Sequence, residues 1–96
     1  MITIIRGIIA SQPVVVTLEK QIAVTVLIRT KDGYQKFFYK IPKNYNARKM
    51  ATTTFSDIVL TSVGDAVRVR VSVHPSGQIE PEIKNFLNDT KGLGYL

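Results

Sequence analysis

Lys31, Tyr34, Lys36, Phe38 and Lys40 interleave cations and rings along one short stretch of chain. Ammonium groups can track the phosphates of a polyanion, and flat rings offer faces on which exposed heterocyclic bases can stack. Arg29 precedes this stretch, Lys43, Tyr45, Arg48 and Lys49 follow it, and Arg68 and Arg70 flank Val69 further on. Together these residues form the candidate binding set. Each also has a plainer reading. Phe38 can pack beneath a neighbouring loop, Tyr34 can shield a turn, Lys31 can serve solubility alone, and Arg68 and Arg70 can guard a sheet edge against pairing with another chain.

Bond-making chemistry finds no comparable constellation. The acids Glu19, Asp32, Asp57, Asp65, Glu80, Glu82 and Asp89 are scattered, and Glu80 and Glu82 straddle Pro81 as a solvated edge would. His74 precedes Pro75 with no nucleophile in an evident arrangement around it. With 0 Cys and 1 His the chain has no thiolate, no disulfide and no histidine-rich metal cage. Gly92 and Gly94 follow no convincing strand and precede no helix, so they make no dinucleotide fingerprint. The expectation is a non-enzymatic protein with no cofactor and no metal.

The elements that must position these groups follow from composition and periodicity. The 96 residues carry 13 Lys+Arg against 7 Asp+Glu, a net charge of +6, with 45% apolar residues, which suits one folded basic domain. Apolar runs break at Arg6 and Thr17, well short of the roughly 20 residues of a membrane helix, and the amino end lacks a charged leader. A cytoplasmic location is the expectation. Residues 2–16 read as one long strand that bends at Gly7 and pauses at Pro13. Residues 22–29 alternate with Ile22, Val24, Val26 and Ile28 on one face. After the Asp32-Gly33 turn, residues 34–41 alternate with Phe37, Tyr39 and Ile41 opposed to Lys36, Phe38 and Lys40. Thr54 caps a short helix that ends at Gly64, Val67 to Val73 alternate in a fourth strand, and a turn at residues 75–77 leads into a last strand carrying Pro81.

Five strands with a helical insertion between the third and fourth predict an all-β, five-stranded OB-fold barrel with one short helix. Residues 1–87 form the domain and residues 88–96 a flexible carboxyl-terminal tail. The sequence also resembles bacterial and phage single-stranded-DNA-binding proteins, including the primosomal replication protein of the B type. Gly7, Ile9 and Pro13, then Ala23 and Val24, then Gly64, Val67 and Val69 stand at that family's spacings. Val71 replaces a glycine usual in the family, the family's binding tryptophans have no counterpart among the 0 Trp, and the chain ends without an acidic tail. The resemblance implies a protein that coats single-stranded DNA in replication or recombination, in a phage, plasmid or accessory version. Because one small barrel occludes few nucleotides, a homodimer or larger homo-oligomer is expected. An RNA-binding protein, or a barrel used for protein interaction and assembly, is the alternative.

Overall fold

The computed structural model describes residues 1–42 and 52–96. Alternation of β-branched and aromatic residues builds its central hairpin, β3 (Gln21–Thr30) and β4 (Gly33–Pro42). Gly33 adopts a φ of 111°, which lets the chain reverse across Lys31 and Asp32. Thr30 fixes the turn, its Oγ1 accepting from the Asp32 amide at 3.1 Å and donating to the Gly33 carbonyl at 3.0 Å.

The expected long first strand divides in two, β1 (Ile2–Ile9) and β2 (Val14–Thr17), with Pro13 in the interruption. Both halves lie on the same edge of β3, Ile8 and Ile9 opposite Arg29 and Ile28, and Val14 opposite Thr25. The remaining elements are α1 (Thr52–Val59), β5 (Ala66–Val73), β6 (Ile79–Asn88) and β7 (Leu93–Tyr95).

Closure follows from the pairing order. The sheet runs β1-β5-β6-β4-β3, and β3 returns to β1, so five strands close into a barrel, with β2 and β7 added outside the circuit. Every pairing is antiparallel except β4 with β6, which meet in parallel at Phe38 and Glu82. This is the OB-fold order expected from the strand sequence. No helix among the described residues is long and apolar enough to cross a membrane.

The inward faces form a single core. Val24, Ile28, Val69 and Val71 are fully buried, as are Phe37, Ile83 and Phe86 to within 2%, and Ile58 of α1 joins them. Each such side chain contributes roughly 1.5–3 kcal/mol by leaving water. Pro81 is accommodated because the β5–β6 register shifts between Val71 and Val73, relieving the ladder of the amide that proline lacks.

Two expectations are corrected. The helix begins at Thr52, and Thr54 is buried within its first turn, so Thr54 does not cap it. Gly64, with a φ of 94°, shapes the turn that follows the helix and donates its amide to Ile9 O at 2.9 Å. The carboxyl end does not match a loose tail either. Leu93, Gly94 and Tyr95 pair with Asn88, Leu87 and Phe86, and a Cβ on Gly94 would collide with the Phe86 carbonyl. Glycines at residues 92 and 94 read as flexibility in sequence, yet here they permit the positive φ values of 67° and 100° and the close approach that docking requires.

Candidate nucleic-acid interface

Residues directly opposite in an antiparallel ladder share a face. Ala23 faces Lys40, Thr25 faces Phe38, Leu27 faces Lys36 and Arg29 faces Tyr34. The intervening residues Val24, Val26, Ile28 and Phe37 are buried, so Arg29, Tyr34, Lys36, Phe38 and Lys40 all stand on the outer surface of one hairpin. Lys31 is exposed at its tip.

The two rings on this face differ. Tyr34 is 66% exposed, whereas Phe38 is half-buried, with Lys40 Nζ 5.1 Å from its ring centroid and Glu82 as its neighbour on β6. Tyr34 therefore presents the open stacking face, and a base reaching Phe38 must first displace an ammonium from it.

The β5 arginines also diverge. Arg68 donates from Nε and Nη2 to Asp89 Oδ2 and Oδ1 at 2.9 and 2.7 Å, and this pair raises the guanidinium and lowers the carboxyl from their ordinary values. Its charge is already answered within the protein. Arg70 is exposed, in register with Ile4 and Asn85, and makes no ion pair among the described residues. Neither lies on the hairpin. Lys43, Tyr45, Arg48 and Lys49 lie outside the described residues.

Sequence reasoning missed Arg6 and Ile8. The register sets Tyr34, Arg29, Ile8 and Ala66 in one row across β4, β3, β1 and β5, and Arg6 faces Arg68 on the adjoining row. Alternation along β1 could have marked both as outward, but only the β1–β3 pairing reveals that they extend the hairpin surface.

A polar network fixes the loop beside this row. Asp65 Oδ2 accepts from the Ser62 amide at 2.9 Å and from buried Asn88 Nδ2 at 2.8 Å, and lies 3.2 Å from Lys91 Nζ. Lys91 also donates to Leu60 O at 2.7 Å and Ser62 Oγ at 2.6 Å. The Ser62 amide, followed by Asn88 and Lys91, holds the Asp65 carboxyl below its ordinary value against desolvation. A depressed carboxyl stabilises the fold fully above its unfolded pKa and loses that contribution as pH falls through the folded value. The melting temperature should thus fall as pH drops below about 4, and Asp65→Asn should start lower at neutral pH and lose less on acidification. Parallel pH–melting curves for the two proteins would remove Asp65 from that role.

No family model matches the sequence, and no curated protein matches it significantly. Solved structures do share its architecture. TiaS lacking its ZRD, in complex with agmatine, superposes with a TM-score of 0.60 at 21% identity over 91% of this chain, which spans 21% of the TiaS chain. The chain has an OB-fold. The second single-stranded DNA-binding protein, SSBb, of Mycobacterium smegmatis matches at a TM-score of 0.52 and 14% identity, covering 95% of this chain and 90% of its own. A small single-stranded DNA-binding protein from Streptomyces coelicolor gives 0.50 and 15%, with coverages of 95% and 94%.

Proposed function

We propose that this OB-fold binds single-stranded DNA across the outer face of the β3–β4 hairpin and coats exposed strand, as a homo-oligomer, in replication or recombination. The observation that carries the reading is the register that brings Arg29, Tyr34, Lys36, Phe38 and Lys40 onto one surface. Cations there meet phosphates while rings meet bases, with no edge-specific readout of sequence. The shared fold with two proteins named for single-stranded DNA binding supports the ligand class.

An unfilled sheet edge supports the oligomer. β1 pairs with β5 from Ile2 onward but reaches β3 only at Ile8, which leaves the opposite edge of residues 2–6 unpaired among the described residues. Ile2 and Ile4 are each 46% exposed beside it. A second copy adding its own β1 antiparallel about Ile4 would set Ile4 against Ile4 and hold the two Arg6 side chains apart.

Anisotropy of labelled oligo-dT, oligo-rU and duplex DNA across a salt series, with sedimentation of the free protein, tests both parts. Tight oligo-dT binding is expected, with a log–log salt slope of about −3 to −4 from four to six phosphate contacts at roughly −0.7 each, and a free protein larger than a monomer. Equal or tighter oligo-rU binding would move the reading to RNA. Absence of binding at low salt would overturn it, and a monomer at every concentration would overturn the assembly.

A further inference from the structure

A cleft of about 290 Å³ opens at the end of the hairpin row, lined by Ile8, Ala10, Arg29, Tyr34, Val63 and Gly64 among others. We propose that it receives one nucleobase of the bound strand, with Tyr34 stacked on the base, Ile8 and Val63 as its apolar walls, and Arg29 on the adjoining phosphate. The proposal rests on the single-strand reading above and deepens it from a charged face to a defined base subsite.

Chemistry separates this cleft from its neighbours. The cleft on the other side of the hairpin tip includes Asp32, and the one over β1 and β5 includes Asp89, so each sets a carboxylate against an incoming phosphate. Among the described residues, none that lines the Tyr34 cleft is acidic. Its volume of about 290 Å³ falls just under the roughly 300 Å³ at which pockets for larger ligands begin, a size suited to one base.

The walls are held before any ligand arrives. Gly64 N donates to Ile9 O at 2.9 Å, and the Asp65–Asn88–Lys91 network fixes residues 60–65 from behind. Val63 remains 58% exposed, so an apolar side chain is kept at the cleft rim by backbone anchoring, without being buried by the core. Pre-organisation of this kind lowers the ordering cost of binding.

The chain has 0 Trp, so Tyr34→Trp installs a single indole reporter in the cleft. Its fluorescence should be quenched by oligo-dT and much less by an abasic backbone of equal length. Val63→Glu, at an exposed rim position, should keep the melting temperature and lose about tenfold more affinity for oligo-dT than for the abasic backbone, about 1.4 kcal/mol, as the loss of one base stack would give. Equal quenching by both strands, or equal affinity losses for both in Val63→Glu, overturns the subsite while leaving hairpin binding intact. Failure of the unmodified protein to bind either strand overturns the subsite and the single-strand reading together.

Discussion

Gly7→Ala is expected to destabilise the protein by about 3 kcal/mol, at the upper end of overpacking costs, and to lower its melting temperature by about 15 °C. Gly7 does not have a positive φ; what it supplies is room. A Cβ there would press into Ile28 Cγ2 and lie 2.5 Å from Arg29 O and 3.1 Å from Arg29 C. A flexible side-chain tip can yield, whereas the Arg29 carbonyl belongs to the β3 backbone at the place where β1 closes the barrel. The strain therefore falls on the closure itself. It also displaces Arg29, which stands between Tyr34 and Ile8 in that row, so oligo-dT affinity should drop in parallel. Thermal unfolding followed by circular dichroism checks the first effect, and a melting temperature within about 3 °C of the parent would show that the strands separate freely at this point.

The second large effect belongs to the hairpin face. Combining Lys36→Ala, Phe38→Ala and Lys40→Ala should weaken oligo-dT binding by more than tenfold at low salt, because two cations and one ring leave the same surface. The parts should separate in a salt series. Losing both lysines flattens the log–log slope by about 1.4, at roughly 0.7 per phosphate contact, whereas Phe38→Ala alone weakens affinity with little change in slope. Lys36 is exposed, so its truncation should leave the fold intact. Full affinity in the triple variant would remove this surface from the binding site.

Period-two patterns made the barrel strands legible because burial of one sheet face imposes that period on the sequence. Val67, Val69 and Val71 are the clearest instance, all within 1% of complete burial. The same alternation placed Lys36, Phe38 and Lys40 outward. What it could not show is what each outward residue meets. Asp89 reaches Arg68 across the β5–β6 pairing, and Lys40 covers Phe38 through rotamer choice, so neither partner is encoded in local spacing. Tyr34, 66% exposed, therefore offers a base the open face that Phe38 lacks. β7 was missed because its glycines carry no strand signal, their value lying in a close approach to Phe86 that exists only after β6 is in place. The cleft had no sequence signal, since Ile8, Arg29 and Val63 come from three separate segments and meet only through barrel closure.

That closure also sets the order in which the chain can fold. The β3–β4 hairpin needs only adjacent sequence, but β1 finds its main partner in residues 66–72, so its pairing with β5 must wait for nearly the whole domain. Barrels dominated by such distant pairings fold over milliseconds to seconds, slower than helical domains of equal size. During synthesis β1 emerges well before β5 and stays without that partner until residues 66–72 follow. Until then Ile2, Ile4 and Ile5 form an apolar strand whose β5-facing edge is open, and Arg6 ends the apolar run with a charge that keeps the exposed segment short.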